Sequence, residues 1–489
     1  MTEWWKISAV EHAKAIKTKK ITSIELTEYY IKRIEKYNKQ INAVIYTMFD
    51  RARKRAKEMD ALLANGTLLG PLHGVPVTIK EGFWMTDTPA TCAIDDMPFF
   101  NDFISTSNAP TVQAYLNAGA VVLGKTNLPI HAADFQSYNP RYGITNNPYD
   151  LTRVPGGSSG GSAASICAGF SALELGSDIG GSIRNPAHFC GVVGHKPTQG
   201  ITSLVGHSPA RNHPLLEPIG RNQARQDPVH TQKLAVSGPL ARTCDDLELA
   251  MNILAEPDLH QKAGGFSFKM PKPKKTSPKG LKIAAWLDDP FNPVSTECVA
   301  LMKTACEKLE AAGAVIDYNA RPTLTLQEGF SCWQIISNAD MNPEFLKDSF
   351  NTWQRAQIRR NYQKTKWSNF FKDYDVLFCP IMPTGAFKHK NDHDYRSEKG
   401  MNRTWKVNGK ERNYWRTGTI WAGLIIVSDL PSTVVPVGFD KNNMPFGMQI
   451  VSDRYKDLQT IEVGKMLENL GFKYNPPSGY EDDTSMAKL

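Results

Sequence analysis

The chain has 489 residues, of which 41% are hydrophobic and 22% charged, and its formal net charge is +8 at pH 7. This hydrophobic content is ample for a large buried core. The positive charge is scattered, and its densest run, over 269–279, contains three prolines. That composition is typical of an exposed connection and argues against a nucleic-acid-binding surface.

The N-terminal residues 1–69 are predicted to form a helical segment on the outside of the fold. Ser8 and Thr22 are each followed three residues later by a glutamate, and this spacing is the capping box that opens a helix. A short strand over 43–47 and a helix over 50–64 follow.

From residue 70 the pattern alternates between apolar strands and helices. Strands are predicted over 75–79, 120–123, 172–175, 281–287, 314–316, 375–382, 433–437 and 447–451, and helices over 108–119, 162–168, 294–312 and 457–470, with 323–372 mostly helical. The last two strands are expected to pair around a turn at 441–444. Such alternation predicts an α/β layered fold.

Two polar segments interrupt this pattern. Residues 206–232 are rich in His, Pro, Arg and Asn, and we expect a long loop near the functional site. Residues 387–413 crowd Lys, Asp, His and Arg together, and we expect a surface insertion.

The cysteines and the apolar runs predict the compartment. The eight cysteines show no CxxC pair, so they are expected to be reduced, buried thiols in a reducing compartment. The first residues carry charges and no apolar stretch of a secretory signal. The longest apolar run, 420–427, is too short to cross a bilayer. A cytoplasmic protein without a membrane span is therefore expected.

Two clusters of glycine and serine, at 156–162 and 180–182, are the most informative stretch. The segment between them contains Ile166, Phe170, Leu173 and Leu175, whereas a flexible linker is polar throughout. A glycine-rich turn after Asp178 would place several backbone N–H groups around the Ser182 hydroxyl, which is what an oxyanion hole requires.

A serine nucleophile needs a base, and Lys80 is the upstream candidate. It ends the predicted strand over 75–79, and burial at such a place favours the neutral amine. A solvated lysine at the end of a strand is the alternative interpretation of Lys80 taken alone.

Three motifs resemble the amidase signature family of serine hydrolases. They are GVPVTIKE at 74–81, PGGSSGGSAA at 155–164 and GSDIGGSIRNPA at 176–187, in the family's order and spacing. The resemblance continues through GKTN at 124–127, NP at 147–148, CG at 190–191, KPT at 196–198, GPLAR at 238–242 and MPFGMQI at 444–450. It covers most of the chain.

The resemblance implies a Ser–Ser–Lys triad. Ser182 would be the nucleophile, Ser158 the bridging serine after a cis peptide bond, and Lys80 the base. The backbone N–H groups of Ile179, Gly180, Gly181 and Ser182 would form the oxyanion hole, with Ser159, Ser177, Asp178 and Arg184 in support. No metal and no cofactor is implied.

The family fold implied is a mixed central sheet covered by helices on both sides, in one domain over 1–489. Its signature core would span 70–200, and a variable substrate-pocket region would span 320–425. The expected partners are a small-molecule amide substrate and no nucleic acid, and a homodimer is left open.

Several positions depart from the family pattern. Glu81 stands where the family has Asp, and Cys92-Ala93 stands where the family often has Gly-Ser. Ile130-His131 stands where the family usually has an acidic residue followed by an aromatic or aliphatic one. Leu430 stands where Gly is common in the family. These positions line or support the pocket, so they bear on the choice of substrate.

Three further patterns match known motifs in their letters. Residues 119–126 match a P-loop, but their variable positions are apolar and strand-like. Residues 157–161 match the nucleophile elbow of α/β-hydrolases, but Pro155 makes a poor strand end before them. His389 and His393 are spaced like metal ligands on a helix, but no further ligand pattern accompanies them. His188 and His195 lie in core-like sequence and are interpreted as structural.

The substrate pocket is predicted to be apolar. Its candidate walls are Phe83, Trp84, Phe330, Trp333, Ile336, Trp415, Ile420 and Trp421. The resemblance implies an amidohydrolase, and these residues predict that it prefers neutral amides with an aryl or alkyl acyl group. The alternatives are the glutaminase subunit of a tRNA-dependent amidotransferase, a hydrolase of esters or carbamates, and a catalytically silent binding protein, against which the intact triad positions speak.

Overall fold

The computed structural model describes residues 3–94, 103–207, 234–257, 262–341, 350–391 and 397–482. The strands in these ranges are β1 (Val44–Thr47), β2 (Pro76–Lys80), β3 (Val121–Thr126), β4 (Tyr138–Asn139), β5 (Gly143–Ile144), β6 (Leu173–Asp178), β7 (Val193–Lys196), β8 (Val236–Ala241), β9 (Lys282–Ala285), β10 (Val315–Asp317), β11 (Val376–Pro380), β12 (Thr404–Val407), β13 (Lys410–Asn413), β14 (Ser432–Phe439) and β15 (Pro445–Val451).

Thirteen α-helices lie in the same ranges. They are α1 (Ala9–Lys17), α2 (Ser23–Ile41), α3 (Phe49–Ala64), α4 (Pro110–Asn117), α5 (Gly160–Cys167), α6 (Arg184–Cys190), α7 (Cys244–Leu254), α8 (Thr296–Ala311), α9 (Leu326–Met341), α10 (Phe350–Phe370), α11 (Glu398–Met401), α12 (Tyr414–Ile426) and α13 (Asp457–Asn469). None of these described helices combines the length and the apolar character that a bilayer crossing demands.

Eleven strands form one mixed sheet in the order β1-β3-β2-β6-β8-β7-β14-β15-β11-β9-β10. Strand β2 pairs in parallel with both β3 and β6, whereas β8 runs antiparallel to β6 and β7. Every residue of β2, β3, β6, β7 and β8 is buried. Because side chains alternate between the two faces of a strand, both faces of this part of the sheet are covered. The predicted α/β fold with a mixed central sheet is confirmed.

The two predicted helix starts and the late strand pair are present in the structure, but only one of the two capping boxes is complete. The Thr22–Glu25 capping box is complete, while Ser8 accepts the backbone N–H of Glu11 without the reciprocal bond from the glutamate. Strands β14 and β15 are antiparallel neighbours joined through the predicted turn. The division of the chain into core and variable regions stays a prediction.

The sequence did not predict strands β7 and β8, although both are central. Strand β8 contains Gly238 and Pro239, residues that weaken a strand in isolation. In the sheet, a Cβ on Gly238 would lie 2.3 Å from the carbonyl oxygen of His195. The glycine is therefore required by the close approach of the neighbouring chain, and tertiary packing overrides its low strand propensity.

The two letter-only motifs have ordinary structural roles. Residues 121–126 of the P-loop match are strand β3, and Lys125 donates hydrogen bonds to the carbonyl oxygens of Phe83 (2.6 Å), Glu81 and Pro89. Ser159 of the elbow match precedes helix α5, with no strand before it.

The expectation that 387–413 is a surface insertion is wrong for its inner face. Strands β12 and β13 form a hairpin in which Trp405 and Val407 are buried. Arg403, just before the hairpin, makes a buried ion pair with Asp134. Of the other polar segment, 206–232, all but Gly206 and His207 lies outside the described residues.

Candidate active site

Lys80 is the last residue of β2 and is fully buried. Its Nζ donates to three serine hydroxyls, those of Ser158 at 2.7 Å, Ser177 at 2.9 Å and Ser159 at 3.0 Å. Two of these serines precede α5, and the third lies on β6, the strand beside β2. The parallel pairing of β2 with β6 therefore brings the strand end and both glycine–serine clusters together.

Burial lowers the pKa of Lys80 from its usual 10.5 to about 8, although the carboxylates of Asp178 and Glu174 act in the opposite direction. Glu174 is itself buried among the hydroxyls of Thr78, Thr126 and Ser162, and burial raises its pKa to about 8. Because Glu174 is then largely neutral at pH 7, it does little to hold Lys80 in the ammonium form.

Ser158 lies in a turn in which the preceding Gly157 packs too closely against neighbouring backbone for any larger residue. The peptide bond between Gly157 and Ser158 is cis, as the resemblance implies. Asn185 holds both backbone groups of Gly157, because its side-chain amide accepts the N–H of Gly157 and donates to the Gly157 carbonyl oxygen. A Cβ on Gly157 would lie 2.3 Å from the carbonyl oxygen of Asp134. The sequence had not singled out Asn185 as a supporting residue.

Ser182 closes the loop between β6 and α6, and Asp178 organises that loop. The Asp178 carboxylate accepts the N–H of Gly181 at 2.8 Å and of Ile183 at 3.1 Å, and it pairs with the Arg184 guanidinium at 2.9 Å. Burial would raise the pKa of Asp178, but Arg184 and the N–H groups outweigh it and lower the pKa to about 2. The loop is therefore held by a permanent buried charge pair.

This use of Asp178 changes the set of candidate oxyanion donors. The N–H of Gly181 is already committed to Asp178. The N–H groups of Ile179, Gly180 and Ser182 are not used in this way. They remain the candidate donors for a developing oxyanion.

The two candidate catalytic serines face one cavity. Ser158 and Ser182 both line it, and the Ser158 hydroxyl is bonded to Lys80. Within the described residues no hydrogen bond joins the two serine hydroxyls directly. Catalytic hydrogen bonds are often long in a free enzyme and shorten only when substrate is bound.

The cavity has a volume of about 120 Å³. It is lined by His131, Ala132, Ala133, Asp134, Phe135, Ser158, Ser177, Asp178, Ile179, Gly180, Ser182, His207, Ala235, Trp333, Ser337, Trp415 and Thr419. A second, outer pocket of about 700 Å³ shares Ala133, Trp333, Trp415 and Thr419 with it. The site therefore has a narrow inner part beside the serines and a wider outer part.

Trp333, from α9, covers the loop between β6 and α6. Its indole N–H donates to the carbonyl oxygen of Ile179 at 2.9 Å. A Cβ on Gly180 would lie 3.0 Å from the same ring. A residue outside the signature motifs thus fixes the loop that carries the candidate donors.

Among the described lining residues, Asp134 and Asp178 are the two that carry a carboxylate. The Asp134 carboxylate is paired with the guanidinium of Arg403. It accepts from the Arg403 guanidinium at 2.8 Å and from the Tyr414 hydroxyl at 2.5 Å. Burial raises the pKa of Asp134, with Arg403 opposing the rise. Because Arg403 belongs to the polar insertion, that segment contributes directly to the site.

The residues predicted to form the aromatic pocket lie in three different surroundings. Trp333 and Trp415 line the inner cavity, and Phe330 lines the outer pocket. Phe83, Trp84 and Trp421 are not among the described residues that line either pocket, and they pack against His207, Phe103 and Trp286, respectively. Ile336 and Ile420 are buried core residues. An apolar pattern alone does not separate wall residues from core residues.

Two histidines lie on the cavity wall, of which the sequence had placed His131 at a pocket position but had not singled out His207. His131 occupies the position where the family usually has an aromatic or aliphatic residue, and it lies in a turn with a positive φ of 58°. The Nε2 atom of His207 lies 2.8 Å from the hydroxyl oxygen of Ser177, and the two groups form a hydrogen bond. The signal for His207 was its place at the start of the polar segment expected near the site.

Glu81 has a supporting role despite replacing the family's Asp. Its carboxylate accepts the N–H groups of Thr91 at 2.7 Å and Cys92 at 2.8 Å. The longer side chain therefore tethers the loop that contains the Cys92-Ala93 departure. The His131 N–H in turn donates to the carbonyl of Cys92 at 3.0 Å.

His188 and His195 lie outside the site, as the sequence predicted for structural residues. His188 bonds to the backbone of Gly447 and Thr384, and His195 bonds to Asp457 at 3.1 Å. Across the described ranges no group of three or more His, Cys, Asp or Glu side chains is placed to hold a metal ion. His393, the proposed companion of His389, lies outside those ranges.

Comparison with known proteins identifies the family. The amidase family model matches residues 25–342 and 333–461. The indoleacetamide hydrolase of Bradyrhizobium diazoefficiens is 30% identical, over 95% of this chain and 86% of its own length. A glutamyl-tRNA(Gln) amidotransferase subunit from Rippkaea orientalis is 29% identical, over 93% of this chain and 94% of its own.

The fold is also that of a solved enzyme of the same family. A bacterial aryl acylamidase of the amidase signature family superposes with a TM-score of 0.77 at 24% identity, over 97% of each chain. The motifs, the family match across the chain and the shared fold agree with one another. The chain belongs to the amidase signature family and is a hydrolase that acts on amide C–N bonds.

Proposed function

We propose that this chain hydrolyses neutral amides with an aryl or alkyl acyl group through an acyl-enzyme on Ser182. The observation that carries the proposal is the buried Lys80, whose pKa is lowered to about 8 and whose Nζ lies 2.7 Å from Ser158 on the cavity that Ser182 also lines. A neutral amine at this place has the basicity that a general base near pH 8 needs.

The proposed first step is attack by Ser182 Oγ on the amide carbonyl carbon. The Ser182 proton passes to Ser158 while Ser158 gives its own proton to Lys80. The carbonyl electrons move onto oxygen, where the N–H groups of Ile179, Gly180 and Ser182 stabilise the oxyanion. When the intermediate collapses, the C–N bond breaks and the relay runs back from Lys80 to the leaving nitrogen. Water then cleaves the ester by the same relay.

The walls of the cavity support a neutral acyl group. Phe135, Trp333 and Trp415 form its aromatic side, and the Asp134 carboxylate is matched by Arg403. A substrate cation would have to compete with Arg403, and a substrate carboxylate would meet Asp134 and Asp178. Burying apolar surface contributes roughly 25 cal/mol per Å².

The size of the cavity supports a ring next to the reacting carbonyl. Its volume of about 120 Å³ is close to the roughly 150 Å³ of an engineered protein cavity that binds benzene. A larger acyl group, such as the indole ring that the name of the Bradyrhizobium relative implies, would extend into the outer pocket past Trp333 and Trp415.

The test is kcat/KM of the purified single chain across a series of amides that differ in the acyl group. Benzamide, phenylacetamide, indole-3-acetamide and hexanamide represent the expected class, and glutamine and asparagine represent zwitterions. We expect the aryl and alkyl amides to exceed glutamine by roughly 100-fold, since a buried zwitterion would be unpaired here. Glutamine as the best substrate would contradict the apolar pocket.

The glutaminase component of an amidotransferase is the second candidate, because a relative named as part of such an enzyme matches 93% of the chain. It predicts glutamine turnover that depends on partner subunits. Ester and carbamate analogues of the best amide test whether the enzyme also cleaves bonds to oxygen leaving groups.

A homodimer stays a prediction. The eight free, buried cysteines support placing the protein in the cytoplasm.

A further inference from the structure

We propose that His207 is a positioning residue that turns the Ser177 hydroxyl so that the lone pair of neutral Lys80 faces Ser158. The inference rests on the proposed function, because it assumes that Lys80 is the base. It assigns to a residue outside the three signature motifs a role in orienting the relay, without a proton passing through that residue.

His207 is held firmly against the lysine motif. Its ring meets the ring of Phe83 edge-on, with centroids 4.6 Å apart, and its backbone pairs with that of Phe83. The N–H of Trp84 donates to the carbonyl of Gly206 at 2.7 Å. The imidazole Nε2 is thereby placed 2.8 Å from the Ser177 hydroxyl oxygen.

Hydrogen-bond counting at Lys80 shows why an acceptor for Ser177 matters. An ammonium has three N–H donors, one for each of Ser158, Ser159 and Ser177. The neutral amine has two N–H donors and one lone pair, so one of the three serines must donate to it. The relay requires that this donor be Ser158, because only a proton from Ser158 leads to the nucleophile.

The other two serines must therefore send their hydrogens elsewhere. The Ser159 hydroxyl donates to the carbonyl oxygen of Ser177 at 3.3 Å, which leaves its oxygen free to accept from Lys80. The Ser177 oxygen is likewise free to accept from Lys80 only if Nε2 of His207 accepts the hydrogen of the Ser177 hydroxyl. The imidazole proton must then be on Nδ1. The Ser177 oxygen then accepts from Lys80, and the lone pair is left for Ser158.

Removing this acceptor would allow Ser177 to donate to Lys80. Ser177 and Ser158 would then compete for one lone pair, and every Lys80 whose lone pair accepts from Ser177 would be unable to take the proton of Ser158. We expect His207→Phe, which keeps a ring against Phe83, to lower kcat about 10-fold with KM changed less than about twofold. His207→Gln retains an acceptor oxygen and should recover most of that loss.

A double-mutant cycle with Ser177→Ala tests the pathway. With the Ser177 hydroxyl gone, nothing competes with Ser158, so His207→Phe should alter kcat less than about twofold in that background. If the roughly 10-fold loss persists there, or if His207→Phe has no effect in the wild-type background, the inference is wrong. If His207→Phe does not fold, judged by its thermal unfolding, the same cycle is run with His207→Ala.

A separate variant distinguishes this inference from the proposed function. Ser182→Ala should abolish both turnover and labelling by a fluorophosphonate. If Ser182→Ala is active, the proposed function fails and the inference with it. If Ser182→Ala is inactive and the cycle shows no coupling between His207 and Ser177, the inference alone fails.

Discussion

The indole N–H of Trp333 lies 2.9 Å from the carbonyl oxygen of Ile179 and donates a hydrogen bond to it. The donor comes from the middle of helix α9, and the acceptor precedes the Gly180–Gly181 turn. The peptide that presents its carbonyl to Trp333 presents the N–H of Gly180 on its opposite side, because the two groups of a trans peptide point in opposite directions. Trp333 therefore sets the orientation of a candidate oxyanion donor.

Replacing Trp333 by Phe should lower kcat about 10-fold, since a carbonyl that loses its partner costs about 1–3 kcal/mol and the Gly180 N–H is then less well aimed. The measurement is kcat and KM with the best amide substrate. Trp421→Phe is the matched control, because the Trp421 N–H also donates to a backbone carbonyl, that of Asn292, away from the cavity. The control should lose thermal stability and keep its kcat; equal loss of kcat in both variants would contradict the role of Trp333.

A fluorophosphonate should label Ser182 and not Ser159. Ser182 lines the cavity in the loop between β6 and α6, whereas the Ser159 hydroxyl is bonded to Lys80 and to the carbonyl of Ser177. Ser158, Ser159 and Ser182 lie in one tryptic peptide, 154–184, so fragmentation of that labelled peptide is the measurement. Label on Ser159 would overturn the assignment of the nucleophile, and Ser182→Ala with unchanged thermal unfolding is the control.

The pH profile should follow the deprotonation of Lys80. Burial lowers the pKa of Lys80 from 10.5 to about 8, and the neutral amine is the active form. We therefore expect kcat/KM to rise with pH, about tenfold per unit well below pH 8, and to level off above it. Measurement between pH 6 and 10 tests this.

Lys80→Ala should lose about 10²–10⁴-fold in turnover, the usual contribution of a general base, and its residual activity should lack the rise near pH 8. A wild-type profile that is flat from pH 6 to 9, or a Lys80→Ala variant with substantial turnover, would place the base elsewhere.

Removing the guanidinium of Arg403 should alter both stability and substrate preference. Arg403→Met leaves Asp134 buried without its cation, and breaking a buried ion pair costs about 3–5 kcal/mol of the free energy of unfolding. An acyl group that carries an amine would supply the missing cation and keep Asp134 ionised, so the variant should favour such a substrate more than the wild type does. The measurement is denaturant unfolding together with kcat/KM for phenylacetamide and its 4-aminomethyl analogue.

Asp134→Asn in the Arg403→Met background is the control for the charge. It should restore the preference for the neutral amide, because the carboxylate that attracts the cation is gone. A preference for the neutral amide that is the same in Arg403→Met as in the wild type would show that Asp134 does not reach the substrate.

The sequence by itself determined the fold class and the candidate chemistry. Glycine and serine cluster where backbone groups must approach closely, and Lys80 ends an apolar strand, so local sequence and motif spacing identify them without knowledge of the fold. The alternation of strands and helices likewise predicts an α/β protein, because periodicity is a local property. The central strand β8 escaped prediction because its glycine and proline are tolerated only through long-range packing.

What only the tertiary structure decided is which side chains surround those candidates. Phe83 and Trp421 have the same apolar character as Trp333 and Trp415, and the sequence carries nothing that separates the two pairs. Their places follow from the order of the strands and from the packing of α9 and α12 beside the site. The contacts of Arg403 with Asp134 and of His207 with Ser177 join residues 269 and 30 positions apart. Such pairs depend on how distant elements pack, and no local pattern in the sequence encodes that packing.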